Sequence, residues 1–403
     1  MAIYLDNSAT TAVDPEVIAA MLPYFAEEPG NAQSVHSFGR RAKAAIEQAR
    51  RQVAALINAS PSEIIFTSGG TESDNLAISG AARACLQSGR HIITSCIEHP
   101  AVLAACQSLE EEGFRVTYLP VGGDGQVKVE DVRASISDDT ILVSVMQANN
   151  ETGAVQPVEE IAAAVAQARE RTDGHIYFHT DAVQSVGKMD VAVERTGIDL
   201  LSISAHKIHG PKGVGALYAR KGVRLAKLFY GGHQERDRRP GTENVPGIVG
   251  LGRAAELALA RLDKMTGDAR ELRDYFEREI RARIPHVRIN AAAGSRLPNI
   301  SNIAFDGIDA EALLIALDLR GIAVSTGSAC SSGSLDPSHV LLAMGLSRRE
   351  ARSSLRISLS AMTTRQEIDS LLLALGEIVP QLRRAAEDDA EERVVALPFE
   401  SQG

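Results

Sequence analysis

Between residues 64 and 218 the chain alternates short runs of apolar, β-branched residues with stretches of helical character, and few folds accept that pattern. The runs fall at 64–66, 91–94, 116–121, 141–146, 176–178, 200–203 and 214–218, and 158–171 is one of the helical stretches between them. Short strands separated by helices predict a largely parallel sheet with helices on both faces. Ahead of them, Ile46, Ala49, Val53 and Leu56 recur at helical spacing within 40–57, which predicts a helix with one buried face. The alternation stops near residue 250. Residues 251–283 read as one long helix ending near Pro285, and 301–305 and 356–359 read as strands. Residues 368–382 carry apolar side chains at 368, 371, 372, 375, 378, 379 and 382, again a helical pattern. This predicts a smaller α+β unit, with the boundary near residue 260. The charged tail 387–393 is expected to be solvated or frayed.

Charge and cysteine usage narrow the function classes. With 42 Lys and Arg against 52 Asp and Glu the formal charge is −10, and an acidic chain lacks the cationic surface by which nucleic-acid binders displace counterions. Of the basic residues 34 are Arg and 8 are Lys, so lysine chemistry has few candidates. Four cysteines, Cys85, Cys96, Cys106 and Cys330, in 403 residues are no disulfide framework and fit a reducing compartment. The opening Met-Ala-Ile-Tyr-Leu-Asp has no basic stretch followed by an apolar one. Nowhere do about 18–20 apolar residues run together. A soluble, cytoplasmic protein with no membrane or nucleic-acid partner is expected.

In an open α/β sheet, ligands bind beyond the carboxyl ends of the strands. After the first run comes Thr67-Ser68-Gly69-Gly70-Thr71-Glu72-Ser73, leading into helical sequence. Small residues there let backbone N–H groups and a helix N-terminus approach a phosphate, although a plain strand–turn–helix with its cap reads the same way. Three later runs end in Gln147-Ala148-Asn149-Asn150-Glu151-Thr152-Gly153, His179-Thr180-Asp181-Ala182-Val183-Gln184 and Ser204-Ala205-His206-Lys207-Ile208-His209-Gly210. Alone, Asp181 could be a helix cap and Lys207 a surface charge. Together, the turn at 68–71, Asp181 and Lys207 supply what pyridoxal 5′-phosphate needs: an anion cradle, an acid that keeps the pyridine nitrogen protonated, and a lysine for a Schiff base. His206-x-x-His209 and Cys96-x-x-His99 offer two ligands each, too few for a metal site. The absence of GxxxxGK[ST], and of GxGxxG after a strand, argues against P-loop and NAD-binding readings. Cys85, Cys96 and Cys106 read as small buried hydrophobes. Cys330 lies in Ser325-Thr326-Gly327-Ser328-Ala329-Cys330-Ser331-Ser332-Gly333-Ser334, nearly all small residues. That composition predicts a mobile loop whose thiol can visit a bound substrate and then a partner.

Ordered motifs extend this reading over residues 1–385. They are YLDNSATT (4–11), GNAQSVHSFGR (30–40), FTSGGTESDNLAI (66–78), EHPAV (98–102), ANNETG (148–153), HTDAVQSVGK (179–188), SAHKIHGPKGVGALY (204–218), GGHQER (231–236), PGTEN (240–244), STGSACSSGSLDPSHVL (325–341) and SLRISL (354–359). In these the chain resembles the class I cysteine desulfurases, the pyridoxal-phosphate-dependent NifS/IscS-like group of the aminotransferase class V family. HTDAVQ, GGHQER and GTEN are closer to the NifS branch. The resemblance implies a fold-type I transferase: a large domain, 16–260, with a mostly parallel seven-stranded sheet, and a small α+β domain formed by 1–15 and 261–403 that carries Cys330. It implies that Lys207 holds pyridoxal 5′-phosphate covalently, Asp181 pairs with the pyridine nitrogen, Gln184 bonds the phenolic oxygen and His99 stacks on the ring. Gly70, Thr71, Ser204 and His206 would hold the phosphate, with Thr242 contributed by the second subunit of a homodimer. Asn150, also placed at the cofactor, and Arg356 would fix the carboxylate of the substrate L-cysteine, and Cys330 would accept its sulfur. L-Alanine and a Cys330 persulfide would result, the sulfur then passing to an acceptor or scaffold protein for iron–sulfur cluster assembly.

Three departures from the family pattern stand out. Ala205 occupies a position usually held by glycine, Asp237 and Pro240 replace small residues ahead of Thr242, and the tail to Gly403 lacks the aromatic-rich segment through which housekeeping members dock their scaffold. The rival readings are a selenocysteine lyase or aminotransferase of the same fold and a non-catalytic cofactor-binding protein.

Overall fold

The structure is a computed structural model and describes residues 2–171, 176–327 and 336–395. Its strands are β1 Ile3–Tyr4, β2 Ile64–Thr67, β3 His91–Ser95, β4 Arg115–Leu119, β5 Thr140–Ser144, β6 Tyr177–Asp181, β7 Leu200–Ser204, β8 Gly215–Ala219, β9 Val287–Ile289, β10 Ile300–Phe305, β11 Ile322–Ala323 and β12 Ser354–Ser358. Seven of them form one sheet in the order β2-β8-β7-β6-β5-β3-β4. Its pairings are parallel except at β8, which runs antiparallel to both β2 and β7. The carboxyl ends of β2, β5, β6 and β7 therefore meet at one edge.

Every residue of β5 and β7 is buried, as expected of central strands covered on both faces. On one face the helix Ser37–Leu56 lays Ile46, Ala49 and Val53 against Phe178, Leu201 and the helix Val245–Ala260. On the other, helices Gly70–Ala84 and Pro100–Glu111 bury Ile78 and Val102 against Ile92 and Leu142. Each such large side chain contributes about 1.5–3 kcal/mol on leaving water, which is why the period of the pattern decides the element.

The region 251–283 differs from the single helix its pattern predicts. It holds the end of Val245–Ala260 and the whole of a second helix, Leu262–Arg283, with Arg261 between them at φ −107° and ψ 8°. No glycine or proline marks this break. The cause is tertiary: the Arg261 guanidinium turns to Asp14 and Glu16, each 2.7 Å away, at the start of the helix Pro15–Met21. Leu251 and Ala255 before the break belong to the core of the large sheet, whereas Phe276 and Ile280 after it join a separate core with Phe305, Leu313, Leu355, Leu371 and Leu375. That second core lies around the antiparallel sheet β12-β10-β9.

The charged tail also departs from expectation. The helix Arg365–Val395 runs through Pro380 and over 387–393, where Ala, Glu and Arg, all good helix formers, recur. Among the described residues no helix is long and apolar enough to cross a membrane.

The first residues connect both cores. β1 pairs in parallel with β11, Leu5 is buried in the second core, and the Asn7 amide donates to Ser358 O at 2.8 Å. Residues 8–11 then cross to the carboxyl edge of the large sheet, where the Ser8 and Ala9 oxygens accept from the Gln184 and Lys207 side chains, which follow β6 and β7, and the Thr11 hydroxyl donates to His206 O.

Candidate active site

The strand β2 ends in a turn that cannot carry larger residues. Gly69 stands at φ +155°, and a Cβ on Gly70 would lie 2.9 Å from Val183 Cγ2 and 3.7 Å from Ser204 Cβ. Gly70 opens the helix Gly70–Ala84, so its first N–H groups, which have no partner within the helix, face the same edge as Ser204. The Ser68 N–H donates to Glu72 Oε2 at 2.8 Å, and Arg239 holds Glu72 at 2.9 Å. Burial raises the Glu72 pKa, but Arg239 and the Ser68 contacts outweigh it and leave the carboxyl below its usual range. A cavity of about 390 Å³ opens here, lined by Thr71, Ser204, His206, Lys212, Thr10 and the glycines. Burial, with Lys207, Lys212 and Lys188 nearby, pushes the His206 pKa down to about 4, so it is a neutral hydrogen-bonding ring. A helix start, the hydroxyls of Thr10, Thr71 and Ser204, an imidazole and an ammonium make a donor set suited to a phosphate.

Ala205 settles the first departure. Its side chain is fully buried in the core of the large sheet, and it fits because residue 210 is glycine: a Cβ there would fall 2.8 Å from both the Ala205 Cβ and the Ala205 O. Gly210→Ala should therefore cost about 1–3 kcal/mol, read as a lower urea midpoint. Adding Ala205→Gly should recover part of the loss; equal stability of Gly210→Ala and the parent would refute the contact.

At the end of β6, Asp181 is buried and its Oδ1 accepts the Val183 N–H at 2.9 Å. Burial pushes its pKa up, partly countered by His99, the Val183 N–H and Lys207. A buried carboxylate in this state is complementary to a cationic pyridinium N–H. His99 caps the helix Pro100–Glu111: its Nδ1 accepts the Ala101 N–H at 3.1 Å, so the neutral ring carries its proton on Nε2. Burial lowers the His99 pKa, with Asp181 raising it and Lys207 and His339 lowering it. Lys207 ends the short turn Ala205–Lys207 after β7, and its Nζ donates to Ser8 O at 2.5 Å and Ala9 O at 2.7 Å. The Gln184 Nε2 donates to the same Ser8 O at 2.9 Å. Lys207, Asp181, His99, Gln184 and the cradle are thus gathered at one edge, and the ring-nitrogen, lysine and phosphate positions all fit pyridoxal 5′-phosphate.

Arg356, in β12, is 2 % exposed and already engaged. Its Nη2 donates to Asp6 Oδ1 at 2.7 Å and its Nη1 to Asn150 O at 3.0 Å, while Nε, also buried, has no hydrogen-bond partner among the described residues. The half-buried Asn150 is therefore beside Arg356 through its backbone; its neighbour Asn149 spends its side-chain oxygen on the Glu151 and Thr152 N–H groups.

Thr242 is exposed and does not line the cradle of its own chain. Ahead of it Glu235, Arg236 and Asp237 are three consecutive left-handed residues, with φ 45°, 56° and 65°. Aspartate is among the few residues that tolerate this region, and Asp237 Oδ1 is further fixed by His233 Nδ1 at 2.7 Å and Lys227 Nζ at 3.2 Å. Pro240 is buried behind it. Cys330 lies outside the described residues. On either side of that segment, Ser338 Oγ donates to Glu151 Oε2 at 2.5 Å, and a Cβ on Gly327 would lie 2.9 Å from the same oxygen. Of the other cysteines, Cys85 and Cys106 are buried and Cys96 is half-exposed.

Two contributors have no mark in the sequence. The Ser8 and Ala9 carbonyls that receive Lys207 are backbone atoms, which no residue pattern announces. Lys188, buried behind Gln184, reads in sequence as one more lysine.

Residues 3–371 match the family model for aminotransferase class-V. A cysteine desulfurase of Trichormus azollae is 52% identical over 381 residues, covering 94% of each chain. A solved NifS-like protein superposes with a TM-score of 0.88 at 40% identity, over 95% of this chain and 100% of the other. SspA, solved in complex with cysteine, gives a TM-score of 0.78 at 38% identity over 90% of this chain and 100% of the other. The chain belongs to the aminotransferase class-V family, and within it to the pyridoxal-phosphate-dependent cysteine desulfurases.

Proposed function

We propose that this chain takes the sulfur of L-cysteine onto Cys330 and releases L-alanine, with Lys207 as the residue that holds the cofactor and then moves the substrate's protons. The observation that carries this reading is the meeting of Lys207, Asp181 and the cradle at 69–71 at one sheet edge. When bound, pyridoxal 5′-phosphate supplies an electron sink for the pair left by the Cα–H bond. Gly70, Thr71, Ser204 and His206 hold its phosphate, with Thr242 of a second subunit; Asp181 keeps the ring nitrogen protonated; Gln184 donates to the phenolic oxygen; and His99 covers the ring. Arg356 and Asn150 orient the substrate carboxylate.

With the cofactor bound, the Lys207 amine would take the Cα proton as general base. The Cys330 thiolate attacks the substrate sulfur, so an S–S bond forms as the C–S bond breaks, and protonation of the carbon gives L-alanine. The balance is one cysteine and one thiol in, one alanine and one persulfide out. The persulfide passes to an acceptor protein for iron–sulfur cluster assembly, in the cytoplasm.

The working unit proposed is a homodimer. Val35 and Tyr230, each 88% exposed, with Phe38 and Phe229 supply apolar surface that a second copy would cover. Within each subunit, 16–260 acts as the cofactor domain, and 1–15 with 261–403 as the domain carrying Cys330.

Purified holoprotein given L-cysteine and a reductant should release L-alanine and sulfide in equal amounts. Pyruvate and ammonia in place of alanine would overturn the reading in favour of elimination.

A further inference from the structure

Lys188 is 4 % exposed, and a residue so buried costs stability unless its charge is used. It stands four residues beyond Gln184, and its Nζ donates to Gln184 O at 3.1 Å and to Gln184 Oε1 at 3.3 Å. The Gln184 amide nitrogen in turn donates to Ser8 O, the carbonyl that also accepts from Lys207. A carbonyl only accepts, so Ser8 O takes the carboxamide nitrogen and the carboxamide oxygen is the atom that faces Lys188. Lys188 and Lys207 also line one small cavity, walled by Leu257, Ala258, Met265 and Leu359.

We propose that Lys188 is a positioning residue for the cofactor: it locks the Gln184 carboxamide with its N–H groups toward the crevice. This rests on the reading that Gln184 serves the cofactor's phenolic oxygen. One Gln184 N–H is spent on Ser8 O, and the other remains for that oxygen. Apolar walls would accept methionine at 188, so packing alone does not call for a lysine. Burial, and after it the charge of Lys207, brings the Lys188 pKa down to about 7. The titratable groups facing it are Lys207, His206 and His209, with Asp14 and Arg261 completing the cavity.

The test is the pH titration of the bound cofactor's visible absorbance in holoprotein, in Lys188→Met, Gln184→Leu and the pair. Losing an oriented donor to the phenolic oxygen favours the protonated chromophore. Lys188→Met should therefore raise the midpoint by about one pH unit, Gln184→Leu should raise it too, and the pair should exceed Gln184→Leu by less than the Lys188→Met shift alone. Thermal midpoints should stay level or rise in Lys188→Met, separating this from structural damage. A parental titration in Lys188→Met beside a shifted one in Gln184→Leu overturns the role of Lys188. Parental titrations in both overturn it one step earlier, at the place of Gln184 against the cofactor.

Discussion

Cys330→Ser, loaded with pyridoxal 5′-phosphate and given L-cysteine, is expected to keep the colour change that follows substrate binding and to lose sulfide release by at least about 10³-fold. The two readouts separate because the residues behind them are separate. Lys207, Asp181 and the cradle, proposed to hold the cofactor, are built at the edge of the large sheet from residues other than Cys330. A serine oxygen in place of the thiolate is a poor acceptor for sulfur, so the chemistry stops after the substrate has docked. Absorbance and sulfide measured on one sample decide it, and turnover retained in the variant would remove Cys330 as the acceptor. Lys207→Ala should lose both signals.

A second large effect is expected far from that thiol. Glu235→Ala should lower folding stability by about 3–5 kcal/mol, because it leaves a buried guanidinium with only the exposed Glu47, 3.2 Å from its Nε, as counter-charge. The side chains of Arg50 and Glu235 are 5% and 4% exposed, and they are joined by two hydrogen bonds of 2.7 and 2.8 Å. Glu235 Oε2 also accepts the Phe66 N–H at 3.0 Å, and Arg50 stacks over the Phe66 ring. Removing the carboxylate takes the acceptor from Arg50 Nη2 and the Phe66 N–H, leaving Arg50 only Ile64 O and Glu47, and frees the left-handed stretch 235–237 from this anchor. Phe66 stands two residues ahead of Ser68, so the cradle should loosen as well and the cofactor bind more weakly. Urea unfolding of apoprotein measures the first effect and cofactor titration the second; Glu235→Gln, which keeps the shape, should lose less of each. A midpoint within experimental error of the parent in Glu235→Ala would show the pair to be dispensable.

What the sequence disclosed follows from the physics of each signal. The runs of the large sheet are strands in the structure because burial on both faces writes itself directly into composition. Strand direction does not, so the antiparallel course of β8 is a property of connection and cannot be read from apolar residues. The break at Arg261 is made by Asp14 and Glu16, about 250 positions earlier, and a local pattern is blind to such a partner. Lys207 and Asp181 were legible at the site because few lysines exist and each follows a strand end. Their surroundings were less so: the acceptors of Lys207 are main-chain atoms, and Lys188 acquires meaning only once Gln184 is seen beside it. Ala205 looked like a departure until Gly210 was found to have made room for it.

The crossing of residues 3–11 between the two cores has a practical side. Deleting the first ten positions would strip Lys207 of both carbonyls, Gln184 of one, and Arg356 of the Asp6 carboxylate in a single stroke. The amino terminus is thus a wall of the candidate site, and shortening it should cost cofactor affinity before it costs either core.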